Sequence, residues 1–178
     1  MKIKVLEKTP GCLPEVIKGG DWIDLRTAQE ITLKAPYSVT KRKRVMNNGD
    51  VRESQRKVVF HSTLIPLGVC IEVPKGCESI LVPRSSTFKK YGILQTNSEG
   101  VIDFLYHGDE DEWKMPVMAT REVTIPKGTR IAQFRVQLSQ KATWWQKLKW
   151  LFNSSVKIEQ VDSLGNPSRD GFGSTGTN

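Results

Sequence analysis

The chain has 178 residues, 38% of them hydrophobic, a mean hydropathy of −0.39 and a formal charge of +8. That is enough for one domain with a real core, and no apolar run approaches the roughly 20 residues that a bilayer span needs. Three cysteines, Cys12, Cys70 and Cys77, come without a CxxC pair or nearby histidines. They argue against a disulfide framework or structural zinc site and fit a reducing cytoplasm.

Taken in order, Lys2 to Leu6 alternates and reads as a first strand with no signal-peptide apolar core. Gly11 to Gly20 is a loop, and Trp22 to Leu25 and Glu30 to Leu33 are short strands around a polar insert. Val58 to Ile65, Gly68 to Val73 and Ser79 to Val82 are rich in β-branched residues and punctuated by Pro66, Pro74-Lys75-Gly76 and Pro83. Val117 to Ile125 and Arg130 to Leu138 repeat the scheme around Pro126-Lys127-Gly128. Many short strands with Pro/Gly turns predict an all-β sandwich, barrel or jelly roll. Low complexity is confined to the tail, 165–178, so the expected organisation is one domain, 1–164, with a flexible C-terminal arm.

Two segments break this rhythm. Residues 39–60 centre on Asn47-Asn48-Gly49-Asp50, a hairpin turn signal, with basic arms. Lys41 to Lys57 holds seven basic residues against two acidic, a local excess of +5. A nucleic-acid or protein contact is one reading; a solvated charged decoration is the other. Residues 143–153 hold Trp144-Trp145-Gln146-Lys147-Leu148-Lys149-Trp150-Leu151-Phe152. At 3.6 residues per turn, Trp144, Trp145, Leu148, Leu151 and Phe152 form one stripe, with Trp150 off it. The spacing predicts one short helix whose stripe packs on its own domain or a neighbouring subunit. So few residues with two lysines make a weak membrane anchor.

The chemistry concentrates in five stretches. Asn97 to Tyr106 runs from a turn into a strand and sets Asp103 among Val101, Ile102, Phe104 and Leu105. A carboxylate between apolar neighbours is costly unless used, and suits a general base on water; the plainer reading is a turn aspartate capping its own backbone. Ile23-Asp24-Leu25 repeats the setting and makes Asp24 a candidate for orienting a metal-bound water. Pro83-Arg84-Ser85-Ser86 offers a guanidinium and two hydroxyls to a polyphosphate. Gly128 to Gln133 opens a strand, with Gln133 a phosphate donor. Arg169 to Asn178 carries Gly171, Gly173 and Gly176 with Ser174 and Thr175, a composition suited to cradling phosphate, and Phe172 can stack on a base. No βαβ unit can follow, so this is not a dinucleotide fingerprint.

Five such stretches in this order resemble the trimeric dUTPase family, over most of the chain outside the two inserts. The resemblance implies a distorted jelly roll, a homotrimer with active sites at subunit interfaces, and Mg²⁺-dependent hydrolysis of dUTP to dUMP and pyrophosphate. It implies that Asp103 activates the attacking water, Tyr106 lies under the deoxyribose, and Asn97 with neighbouring backbone, including Gly100, reads the uracil edge. Arg84, Ser85, Ser86 and Gln133 would hold phosphates, and Asp24 would orient water on the metal. Phe172 and Gly173 would cover the uracil while Arg169, Ser174 and Thr175 close on the β- and γ-phosphates.

The chain departs from the family pattern at Trp22, Ser86 and Thr129, the last of which removes a carboxylate next to Arg130. Arg169 also stands three residues before Phe172 rather than five. A dCTP deaminase or bifunctional deaminase of the same superfamily is one alternative; it needs a glutamate after the central hairpin, where Trp113 to Ala119 carries no acid. A binding or regulatory protein on the same scaffold, working through the two inserts, is another.

Overall fold

The computed structural model describes residues 1–41, 55–152 and 155–169. The turn of the basic hairpin, 42–54, and the arm beyond Arg169 lie outside the described residues. What is described is mostly β, as expected, and arranged in several small sheets.

The strands are β1 (Lys2–Glu7), β2 (Glu15–Val16), β3 (Ile23–Arg26), β4 (Ile31–Leu33), β5 (Tyr37–Lys41), β6 (Gln55–Val59), β7 (Ser62–Pro66) and β8 (Val69–Glu72). They continue with β9 (Cys77–Pro83), β10 (Ile93–Gln95), β11 (Gly100–Ile102), β12 (Lys114–Ala119), β13 (Val123–Ile125), β14 (Arg130–Leu138) and β15 (Lys157–Val161). Five of them form one sheet in the order β11-β9-β14-β3-β2. Two three-stranded sheets, β15-β1-β8 and β10-β12-β7, and the pairs β13-β4 and β5-β6 complete the set.

Alternation fixes the core. On β12, Met115, Val117 and Ala119 are buried while Lys114, Pro116 and Met118 face outward. On β14, Phe134 and Val136 point inward, and Phe134 meets Trp113 edge-on at 5.0 Å. All three cysteines are buried and free; desolvation pushes the Cys70 thiol up to about 12. They serve packing.

Three departures from expectation carry lessons. Val58 to Ile65 breaks into β6 and β7, so one apolar run serves the hairpin and the core sheet in turn. β15 has no counterpart among the expected strands, because Lys157-Ile158-Glu159-Gln160-Val161 is polar; it forms by parallel pairing to β1, Lys2 opposite Lys157 through Leu6 opposite Val161. There are two helices among the described residues rather than one: α1 (Thr87–Tyr91) accompanies α2 (Trp144–Phe152).

The bounds of α2 agree with the spacing, but its packing face does not. Trp144, Trp145, Leu151 and Phe152 are exposed, at 64, 74, 73 and 87%, while Trp150 packs against the core. Gln146, on the same side, donates to the Lys75 carbonyl at 3.1 Å. The stripe therefore does not pack on its own domain: the helix docks by its narrow face and turns the broad one outward. No helix among the described residues is long and apolar enough to cross a membrane.

Candidate active site

The candidate residues fall into two groups. The first surrounds Asp24 on β3. Cross-strand neighbours share a face of a sheet, so Gln133 on β14 sits beside Asp24, and Val82 on β9 beside Gln133. Arg84 follows β9 directly; its backbone N–H donates to the Ile131 carbonyl at 3.0 Å, and the Thr87 hydroxyl donates to the same carbonyl at 2.7 Å. These bonds clamp the Arg84-Ser85-Ser86 loop to β14. The Ser85 side is exposed and Ser86 half-buried at the start of α1.

Asp24 is buried, and both of its oxygens face guanidinium groups. Arg84 Nε lies 3.0 Å from Oδ1 and Arg130 NH1 3.3 Å from Oδ2. Arg130 also approaches Glu15 at 3.5 Å, and Arg26 joins Glu15 at 2.6 Å. The loss of a carboxylate at Thr129 has therefore not left Arg130 unpaired. Two cations satisfy the buried charge that would otherwise be costly. As it stands, Asp24 braces Arg84 and presents no oxygen without a guanidinium partner to a metal-bound water.

The second group runs from the turn after β10 through β11 and past its end. Asn97 is exposed, and its Oδ1 accepts from Gln95 Nε2 at 2.8 Å. Ser98 takes a positive φ of 60°, which turns the chain into β11. Gly100 is buried against β9; a Cβ there would lie 3.3 Å from Leu81 Cβ. Asp103 stands one residue past the end of β11. Its side chain is 54% exposed, and Val101 and Leu105 on either side are 58 and 57% exposed. All three are exposed, so no apolar pocket of this chain encloses the carboxylate. Oδ1 accepts from the Leu105 N–H at 2.8 Å, so the aspartate also caps its own turn. Tyr106 packs on the core, donates its hydroxyl to the Glu112 carbonyl at 3.0 Å, and is pushed up to about 12 by burial.

Arg169 joins this second group rather than the phosphate-binding candidates of the first. Its NH1 lies 3.0 and 3.3 Å from the two oxygens of Asp103. The chain leading to it is held by the segment after Tyr106. Ser163 Oγ and the Leu164 N–H donate to Asp109 at 2.7 Å each, which holds that carboxyl below the usual range. The Arg169 N–H donates to Asp111 at 2.9 and 3.0 Å. Sequence reading missed Asp111 because Asp109-Glu110-Asp111-Glu112 looks like a wet acidic run, and nothing local marks its third member as buried. Phe172, Gly173, Ser174 and Thr175 lie outside the described residues.

One chain does not bring the two groups together. Following the register from Asp24 through Gln133 and Val82, Asp103 lies three strand spacings across and about four residues along. That is roughly 20 Å at ordinary sheet dimensions.

A family model described as dUTPase matches residues 51–149. The SPbeta prophage-derived deoxyuridine 5'-triphosphate nucleotidohydrolase of Bacillus subtilis is 40% identical over 177 residues, covering 99% of this chain and 98% of its own. The deoxyuridine 5'-triphosphate nucleotidohydrolase of Rickettsia akari is 32% identical over 179 residues, covering 99 and 96%. Among solved structures, the dUTPase of Streptococcus mutans matches with a TM-score of 0.59 at 20% identity, over 80% of this chain and 99% of that one. A point mutant of the dUTPase of phage phi11 of S. aureus, described with a structural Mg(II) ion, matches with a TM-score of 0.58 at 15% identity, over 79 and 93%. These two structures speak for the fold; the matched family model and the full-length relatives establish that the chain belongs to the dUTPase family.

Proposed function

We propose that the chain hydrolyses dUTP to dUMP and pyrophosphate, with Asp103 as the general base. The observation that supports this most directly is the placement of Asp103: a solvent-facing carboxylate, fixed by the Leu105 N–H, just past the end of β11 in the segment that carries Asn97 and Gly100. The oxygen of a water attacks the α-phosphorus and the α–β bridging P–O bond breaks. Pyrophosphate leaves, and Asp103 takes the water's proton. Asn97 and the backbone at Gly100 read the uracil edge. Tyr106, its ring held by the core and its hydroxyl bonded to Glu112, forms the floor under the deoxyribose. Arg84, Ser85, Ser86 and Gln133 hold the phosphates. Arg169, Ser174 and Thr175 close on the β- and γ-phosphates, and Phe172 with Gly173 covers the base. Arg169 then exchanges Asp103 for a phosphate when substrate enters.

We further propose a homotrimer in which one subunit's Asn97 to Tyr106 segment meets another's Arg84 loop. The separation of the two groups within one chain supports it. So does the outer face of β10-β12-β7, where Leu64 and Leu94, 40 and 38% exposed, flank Pro116 and Met118. The cation proposed for the triphosphate is Mg²⁺. Among the described residues no cluster of three or more His, Cys, Asp or Glu side chains could hold an ion, and both Asp24 oxygens face arginines, so those residues do not build a site for it by themselves. The basic hairpin is proposed as an accessory element for a nucleic-acid or protein partner.

The test is pyrophosphate release from dUTP, dCTP, dTTP and UTP by the native protein and by Asp103→Asn. Release from dUTP alone, lost in the variant, is the expected result. Turnover that survives Asp103→Asn would remove Asp103 from its role, and ammonia release from dCTP would replace the hydrolase with a deaminase.

A further inference from the structure

The segment after Tyr106 contains a carboxylate that the proposed reaction does not use. Asp111 is 2% exposed, as buried as Asp24, yet among the described residues no cationic side chain pairs with it. Its oxygens accept from two backbone N–H groups instead: Gly108 at 2.8 Å, and Arg169 at 2.9 and 3.0 Å. A buried carboxylate held only by backbone donors is costly to keep, and here it binds together two segments 58 residues apart.

The surrounding contacts have the same purpose. A Cβ added at Gly108 would lie 2.3 Å from Ser168 Cα and 2.6 Å from Ser168 N, so only glycine lets the chain pass this close. The Glu110 N–H donates to Ser168 Oγ at 3.0 Å. The backbone at 168–169 is thus seated on buried groups. The Arg169 side chain is not: it is 41% exposed and meets an Asp103 that is 54% exposed. Such a pair contributes little and exchanges readily.

We propose that Asp111 is a positioning residue that pins the backbone of Arg169, presenting its guanidinium at Asp103 and fixing where the C-terminal arm begins. This rests on the reading of Asp103 as the base of a dUTP hydrolase. A fixed backbone with a loose guanidinium lets Arg169 move from Asp103 to a phosphate without the arm losing its starting point.

The experiment compares the native protein with Asp111→Asn, which removes the charge, and Gly108→Ala, which keeps the carboxylate but pushes Ser168 away. Tryptic cleavage after Arg169 is followed by mass spectrometry without ligand, beside steady-state dUTP hydrolysis. Both variants should be cut at Arg169 at least tenfold faster, with cleavage in residues 55–152 unchanged. Both should raise KM about tenfold with kcat within threefold. Cleavage and KM within twofold of native in both variants would overturn the proposal, as would a fall in kcat at unchanged KM, the mark of a merely structural residue. If Asp111→Asn fails to fold, Gly108→Ala carries the same two readouts. If the native protein does not turn over dUTP, the reading of Asp103 falls, while the cleavage comparison still decides whether Asp111 holds Arg169.

Discussion

Asp24 and Asp103 sit in nearly the same local sequence, Ile23-Asp24-Leu25 and Ile102-Asp103-Phe104, and end in opposite environments. Asp24 lies on β3, inside the five-stranded sheet, and is buried between Arg84 and Arg130. Asp103 lies just past β11, on the sheet's edge, facing solvent with one exposed arginine beside it. Apolar neighbours in sequence therefore do not bury a carboxylate. Flanking strands do, and only the sheet order says which strands those are. The deep carboxylate is a structural brace and the shallow one is free to do chemistry.

The sharpest way to break this comparison is to remove each charge in turn. Asp103→Asn should lower kcat for dUTP by about 10²–10⁴, the range for a lost general base, while an exposed substitution of this kind moves stability by about 0.5 kcal/mol or less. A Tm shift of many degrees would show that Asp103 is also a brace. Asp24→Ala should do the reverse in the denaturation midpoint. Stranding Arg84 and leaving Arg130 only Glu15 should cost roughly 2–3 kcal/mol, below the 3–5 of a fully buried pair because Arg84 and Arg130 keep some exposure. Urea unfolding at an unchanged m-value would measure it.

The same contrast applies to α2, where like residues also part company. Trp150→Ala should cost about 2 kcal/mol, below the roughly 3–5 of a fully buried Trp since it is only partly covered, whereas Trp145→Ala should stay within about 0.5 kcal/mol. Equal losses at both positions would mean that a subunit contact covers the outward face. Deleting 41–57 should leave dUTP turnover within a few-fold of native if the hairpin is accessory; a collapse would put it in the catalytic assembly.

The smallest effect concerns Tyr106, which ends the segment that carries the exposed Asp103 yet buries its phenol. Burial raises it to about 12 from the ordinary 10. Its contribution is fully present below pH 10 and is lost as pH rises toward 12, because the unfolded chain releases the proton first. Cys70, raised to about 12 from 9, begins the same fall nearer pH 9. Tyr106→Phe should flatten the upper part of this alkaline loss in denaturant titrations and leave the lower part.

Local signals carried much of the molecule. Arg130 to Leu138 and Trp144 to Phe152 were legible to the residue, because β-branched runs and a 3.6-residue period are written in consecutive positions. The jelly-roll class was legible for the same reason: it depends on residue types and spacing. Tertiary structure alone decided the rest. β15 exists because β1, some 155 residues earlier, offers it an edge. Which face of α2 docks was set by what Trp150 meets, and Asp111 was buried by a chain returning 58 residues later. Arg169 reached Asp103 by the same return. Pairings over such distances leave no trace in local propensity, since what stabilises them is the partner surface and the hydrogen bonds formed only when both segments are in place.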